Sequence, residues 1–290
     1  MNQPEPGLVV VDKPAGMTSH DVVARVRRLA GTCKVGHAGT LDPMATGVLV
    51  LGVGRATRLL GHLLLTDKAY DATIRVGATT TTDDAEGEVL ETRPTDEVSA
   101  DDVRAGLQAM VGDLDQVPST VSAVKVDGRR AYMLARAGEK VELHPRRVRI
   151  DEITVRRVEL PDVEVSVRCS SGTYVRAIAR DLGAALGVGG HLTALRRTAV
   201  GPFTLGAAST LDRLAERFEV TPLAVAAREC FPSYGLDEAQ AAAVRHGRPL
   251  PVRLPAAGPV AVFAPDGEFL ALYEQRGPEA RAVAVFAAGN

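Results

Sequence analysis

The segment from Val35 to Arg58, VGHAGTLDPMATGVLVLGVGRATR, restricts what this chain can become more than any other stretch. Two polar turns flank an apolar run, and Asp42 is the only carboxylate within it. Gly36 and Gly39 permit backbone angles closed to residues with a Cβ. Pro43 fixes its own φ and biases Asp42 towards extended geometry. The run Gly47–Gly52 (GVLVLG) reads as a buried strand behind that loop. A single acid is thereby presented on a stiff turn. Asp before Pro is also ordinary turn composition, so plain loop structure and fixed-acid chemistry both fit the local pattern.

The remaining chain supplies one large domain, or one with a small appendage: 290 residues, 46% of them hydrophobic, can bury a substantial core. Cys33, Cys169 and Cys230 are far apart and odd in number, which points to no disulfide framework and to a reducing cytoplasm. The opening MNQPEPGLVV lacks a basic region followed by a long apolar stretch, so no secretory signal is expected. No apolar run approaches the ~20 residues of a membrane span. Cys33 and His37 lie four apart, but a zinc site needs three or four ligands and no second suitable pair follows, so no metal is expected. The lone Gly52-x-Gly54 is too little for a dinucleotide site.

Periodicity places the elements. Gly7–Asp12 reads as a short buried strand. Ser19 can cap a helix to Ala30, with Val22, Val23, Val26 and Leu29 inward and Arg25 and Arg28 outward. In Lys68–Val76, Tyr70, Ala72, Ile74 and Val76 share one face and Asp71, Thr73 and Arg75 the other. Ser99 caps a helix to Val111 with Asp102 at its third position. Arg147–Arg157 and Val163–Cys169 form antiparallel strands, and a helix beginning at Gly172 or Thr173 turns Val175, Ile178, Leu182 and Leu186 inward. Beyond Leu205 the chain is alanine-rich and loosely helical. Val260–Phe263, Phe269–Tyr273 and Ala282–Phe286 are strand-like, with Pro265-Asp266-Gly267 a hairpin turn.

The net charge of –2 does not advertise a nucleic-acid binder. Bases nevertheless gather at Arg25, Arg27 and Arg28, at Lys125, Arg129 and Arg130, at Arg146, Arg147 and Arg149, and at Arg196 and Arg197, while acid concentrates between Asp83 and Asp115. Attraction of phosphate is local on the scale of a Debye length, ~8–10 Å. A basic face and a set of solvated surface charges are equally consistent with this distribution.

Several motifs converge on one family. Gly36–Leu59, the opening Lys13-Pro14-x-Gly16-x-Thr18-Ser19, Lys68-x-Tyr70, the spaced Gly77, Thr80, Thr82, Asp84 and Gly87, the block Val117–Gly138, and Gly172–Arg176 (GTYVR) together resemble the bacterial tRNA pseudouridine-55 synthases of the TruB type. The resemblance spans nearly the whole chain. It implies an α/β (α+β) pseudouridine-synthase fold: a large mixed, mainly antiparallel sheet flanked by helices, followed by a small PUA-like, β-rich RNA-binding domain. The boundary expected is 1–230 and 231–290.

The activity implied is isomerisation of uridine to pseudouridine at position 55 in the T-loop of tRNA, with the base flipped into a pocket and no cofactor or metal. Asp42 becomes the essential carboxylate, Arg176 its partner, and Tyr70 the ring that stacks on the base and assists removal of the C5 proton. His37, Tyr174 and Leu195 shape the base site. Lys13 points its ammonium at phosphate or at the active loop, and Asp84 accepts from His37 or positions its own loop. An arginine beside Asp42 keeps it ionised despite burial, and a bidentate fork fixes its orientation. The expected partner is the T-arm of tRNA, with the chain acting as a monomer without an obligate protein partner. Val121 stands where many relatives carry an aromatic residue and receives no role. A tRNA-folding or RNA-binding module without catalysis, or a synthase acting on another RNA, are the alternatives.

Overall fold

A computed structural model describes residues 5–119 and 143–287, together with the backbone of 125–126 and 129–130. In chain order the elements are β1 (Gly7–Lys13), α1 (Ser19–Ala30), β2 (Val35–His37), β3 (Thr46–Val53), α2 (Leu60–Leu63), β4 (Lys68–Val76), β5 (Ala78–Thr80), β6 (Val89–Thr92), α3 (Ala100–Gln108) and β7 (Gly112–Gln116). The short pair β8 (Lys125–Val126) and β9 (Arg129–Arg130) precedes β10 (Arg146–Glu159), β11 (Asp162–Cys169), α4 (Val175–Ala185), β12 (Gly190–Val200) and β13 (Phe203–Thr204). Then come α5 (Leu211–Glu216), β14 (Thr221–Pro222), α6 (Leu223–Cys230), β15 (Ser233–Gly235), α7 (Glu238–Arg245), β16 (Val260–Phe263), β17 (Phe269–Arg276) and β18 (Glu279–Val285). The side chains of Val121, Lys125, Arg129 and Arg130 lie outside the described residues.

The main sheet has ten strands in the order β14-β1-β3-β12-β4-β11-β10-β7, with β2 added to β3 and β13 to β12. Its pairings are antiparallel except β12 with β3, where Arg196 stands opposite Thr46 and Arg197 opposite Gly47. The sheet is therefore mixed and mainly antiparallel. That parallel contact joins the strand after the Asp42 loop to the strand carrying Leu195.

Burial explains why some strands read as continuous apolar runs and others as alternation. In β1 and β3, Val9, Val11, Leu49 and Leu51 face one core while Leu8, Val10, Val48 and Val50 face another. Both faces are dry, so both sets are apolar. In β4 only one face is covered, and Ala72, Ile74 and Val76 alternate with half-exposed or exposed Asp71, Thr73 and Arg75. The first core is closed by α1, α3 and α4 through Val22, Val26, Leu107, Ile178 and Leu182.

The second core is closed by the C-terminal segment. Phe263, Phe269, Leu272 and Phe286 pack with Val48, Val50, Leu59 and Ala226. Arg55 and Arg58 donate to the carbonyls of Phe286 and Val285, each at 3.1 Å. A separate four-stranded sheet, β15-β16-β17-β18, thus shares its inner face with the back of the main sheet while keeping a small core of its own around Val244, Val262, Leu270 and Tyr273.

Three local expectations need correction. Thr18, not Ser19, caps α1; its hydroxyl and the Asp21 side chain form a reciprocal capping box, which frees Ser19 for another task. The helix α3 ends at Gln108, because the chain must unwind before Gly112 starts β7 with φ +112°. The alanine-rich stretch is two helices, α5 and α6, separated by the short strand β14 against β1. Among the described residues no helix is long and apolar enough to cross a membrane.

Candidate active site

The loop between β2 and β3 holds Asp42, and the fold fixes it from three sides. Ser19, 1% exposed at the start of α1, donates to the carbonyl of Leu41 at 3.1 Å and accepts from its N–H at 2.8 Å. From β1, the Lys13 ammonium donates to Met17, Pro14 and Pro43 carbonyls at 2.6, 2.9 and 3.2 Å. From β12, Arg197 donates to the carbonyls of Val48, Gly39 and Thr40 at 2.7, 3.1 and 3.3 Å. Gly47 is required at the start of β3: with φ +100°, a Cβ there would stand 2.2 Å from the carbonyl oxygen of Arg197. The acid therefore sits on backbone with little freedom to move.

Its partner comes from the start of α4. Tyr174 caps α4 by position, its N–H donating to Gln116 Oε1 at 2.8 Å and its carbonyl accepting from Gln116 Nε2 at 3.1 Å. As the second residue of the helix, Arg176 brings Nη2 to 3.0 Å from Asp42 Oδ2. The same guanidinium lies 3.5 Å from Asp84 Oδ2 and donates to the Thr82 carbonyl at 2.9 Å. The expected fork on one acid is thus shared between two carboxylates and a carbonyl. Asp84 is held in turn by the Thr82 hydroxyl and by the Glu86 N–H at 3.1 Å.

Electrostatics here are closely balanced. Burial raises the Asp42 carboxyl above its ordinary range; Arg176 and Lys13 oppose the rise and Asp84 adds to it. The arginine thus reduces the desolvation of Asp42 without cancelling it. Burial likewise raises the Tyr70 phenol.

Gly39–Asp42, Tyr70, Tyr174, Arg176, Leu195, Lys68 and Arg197 line one open cleft of about 310 Å³. This lies near the lower end of the ~300–1,000 Å³ typical of small-ligand sites. The wall mixes apolar surface (Leu64, Leu195, Val175), aromatic rings (Tyr70, Tyr174) and the Asp42–Arg176 pair. Such a wall suits a flat, polar-edged ring beside one fixed acid.

The cleft gathers five of the eight site residues expected from sequence: Asp42, Tyr70, Tyr174, Arg176 and Leu195. Lys13 takes the second of its two expected places: it has 0% exposure and spends its donors on loop carbonyls, so its ammonium braces the active loop. Asp84 is 3% exposed and stands behind Arg176, positioning its loop. His37 lies on β2 outside the cleft lining, its ring edge-on to His20 at 5.7 Å between centroids.

The basic clusters also resolve. Arg197 is 1% exposed and borders the cleft from within, so it is not a surface cation for the RNA backbone. Arg196 grips Asp12 through two donors at 2.7 and 3.0 Å. Arg147 pairs with Asp113 and Asp115, Arg149 with Asp67 and Asp151, and Arg157 with Glu159 and Glu164. Gln116 belongs to the site although no motif marks it, and Ser19 and Lys68 belong to it although their motifs assigned them no role there.

Comparison with known proteins gives consistent matches. The family described as "TruB family pseudouridylate synthase (N terminal domain)" matches residues 27–175. "tRNA pseudouridylate synthase B C-terminal domain" matches 176–224, and "tRNA Pseudouridine synthase II, C terminal" matches 231–287. The chain is 61% identical to tRNA pseudouridine synthase B of Thermobifida fusca (strain YX), over 97% of this chain and 98% of that one. It is 55% identical to the Streptomyces griseus protein of the same name, over 97% of each. A chain in the structure of a Cbf5-Nop10-Gar1 complex superposes with a TM-score of 0.76 at 28% identity, covering 98% of this chain and 85% of that one.

Proposed function

The chain belongs to the TruB family of pseudouridylate synthases, and from that premise we propose that it isomerises uridine to pseudouridine at position 55 in the T-loop of tRNA. The observation that carries the reading is the Asp42–Arg176 pair, 3.0 Å apart in a cleft also lined by Tyr70, Tyr174 and Leu195. It is a tRNA pseudouridine synthase, an isomerase that rearranges one nucleoside within the polymer.

The reaction breaks the N1–C1′ bond, turns the base while it stays bound, and joins C5 to C1′; the C5 proton is lost and N1 gains one, so the formula is unchanged. A base stacked within a folded loop must first leave its stack, at a cost of a few kcal/mol offset by new contacts in the pocket. Asp42 meets C1′ or takes a sugar proton; either task needs the carboxylate form. Arg176 holds that carboxylate in place and supports its charge. Tyr70 stacks on the base and assists loss of the C5 proton, Tyr174 and Leu195 bound the base, and His37 handles the target loop outside the cleft. Lys13 and Asp84 support the two sides of the acid.

On the same reading the chain divides into a catalytic unit, 1–230, and a C-terminal module, 231–290, that adds surface for the T-arm. It acts as a monomer in the cytoplasm, where its substrate is. The test is direct: incubate tRNA transcripts with the purified protein and map pseudouridine along them. Modification confined to position 55 supports the proposal. Modification elsewhere, or none, overturns it.

A further inference from the structure

Two cations in the cleft wall have so far been given no part in the chemistry, although Arg197 also braces the active loop. Lys68 is 7% exposed and Arg197 1% exposed, yet both border the cleft. The Lys68 ammonium donates to the carbonyls of Leu64 and Thr66 at 3.0 and 2.7 Å. Arg197 is bonded to three carbonyls of the active loop and of β3. Among the described residues, neither forms an ion pair with a carboxylate. They converge beneath Gly39: a Cβ there would stand 3.6 Å from Lys68 Cε and 3.6 Å from Arg197 Nη1. Tyr70 lies beside them, in contact with Arg197.

Buried charges are ordinarily paired, because desolvation is otherwise costly. Carbonyl dipoles solvate these two in part but do not neutralise them. A cleft whose wall keeps two cations without carboxylate partners, beside the Asp42–Arg176 pair, is set to receive negative charge there. The isomerisation generates such a charge. When the N1–C1′ bond breaks, its electron pair leaves with the base, so the detached uracil carries –1, spread over N1 and its carbonyl oxygens. The matching positive charge at C1′ falls to Asp42. When C5 joins C1′ the base is neutral again, and the later loss of the C5 proton is balanced by a proton taken up at N1.

We propose that Lys68 and Arg197 form an anion site in the wall of the cleft, and that its occupant is the carbonyl edge of the uracil while the base is detached and negatively charged. The site rests on the reading that this cleft carries out the isomerisation. Preorganised positive groups beside a bound base favour charge that develops only during the reaction, so they act on rate rather than on affinity for the RNA.

Protonation of Lys68 gives a second handle. Burial lowers its pKa to about 8, assisted by Arg197 from β12 and opposed by Cys169 from β11 and Asp67 from the adjoining turn. The Cys169 thiol is pushed up to about 11 by its own burial and stays neutral across the range tested. The positive charge on Lys68 is therefore lost as the pH rises through about 8.

The experiment compares the wild type with Lys68→Met and Lys68→Arg in single-turnover assays on tRNA from pH 6 to 9, with tRNA affinity and thermal unfolding measured alongside. We expect Lys68→Met to slow the chemical step by about 100-fold, the scale for losing one oxyanion-stabilising group, with affinity changed less than about threefold. The wild-type rate should fall above pH 8, Lys68→Met should lack that fall, and Lys68→Arg should recover most of the rate and hold it to pH 9. A wild-type rate that stays level across this range overturns the proposal without recourse to any variant. So does a Lys68→Met enzyme of normal rate, or one whose loss appears only as weaker tRNA binding or lower melting temperature. A wild type that makes no pseudouridine at all would instead remove the enzyme reading beneath it.

Discussion

Arg176 Nη2 meets Asp42 Oδ2 at 3.0 Å, joining a side chain that is 6% exposed to one that is 36% exposed. The buried end anchors and the exposed end is presented to the cleft. Asp42→Asn keeps the shape and removes the charge, so turnover should fall at least about 10³-fold, corresponding to about 4 kcal/mol of barrier. Melting temperature and tRNA affinity should be nearly unchanged. Single-turnover conversion of labelled tRNA measures the first, and normal pseudouridine formation by the variant would refute the role.

Removing the other partner should be structural as well as chemical. Arg176→Met leaves Asp84, with a side chain 4% exposed, opposite no guanidinium. Stranding a buried charge in this way costs about 3–5 kcal/mol. The double variant with Asp84→Asn should regain part of that stability without regaining activity, since the two positions share one network. Urea unfolding of both variants reads the difference.

Acid should inactivate the enzyme earlier than an ordinary carboxylate would. Burial raises Asp42 above 3.8, so the required anion is lost at a pH above that value as the solution is acidified. The stability sign is the reverse. Because the folded pKa is raised, folding is favoured by Asp42 below its unfolded value and loses that contribution as pH rises through the folded one. A rate profile whose acid limb lies at or below 3.8 would show that Arg176 outweighs burial.

The C-terminal sheet should be inseparable from the catalytic one. Phe286 is 1% exposed and packs in the core that also holds Val48 and Val50 of β3. Phe286→Ala should cost about 3–5 kcal/mol and should raise hydrogen exchange in β1 and β3 as well as in β17. Exchange confined to the C-terminal strands would show two independent modules.

Much of this is legible in the sequence. The alternation of Lys68–Val76 and the dry run Gly47–Gly52 carry their burial in their pattern, and the GTYVR segment puts Arg176 at a helix start. The charged residues are where local pattern fails. Lys13, Lys68 and Arg197 look like surface cations because nothing nearby in sequence reveals burial; it comes from the pairing of β1 with β3 and of β12 with both β3 and β4. Asp84 meets Arg176 for the same reason, since α4 delivers the guanidinium from 92 residues further along the chain. The cap of α1 was off by one residue because Thr18 and Ser19 are chemically alike, and only Leu41 distinguishes them. The block Val117–Gly138 falls largely outside the described residues.

The face of β1 and β3 that Phe263, Phe269, Leu272 and Phe286 cover has a bearing on biosynthesis. A ribosome makes those two strands early and their lid more than two hundred residues later. In the interval the strand that follows the catalytic loop has one greasy side open to water. The nascent enzyme should therefore mature in a single late step, and chaperone binding to stalled chains should cease only once β16 to β18 have left the exit tunnel.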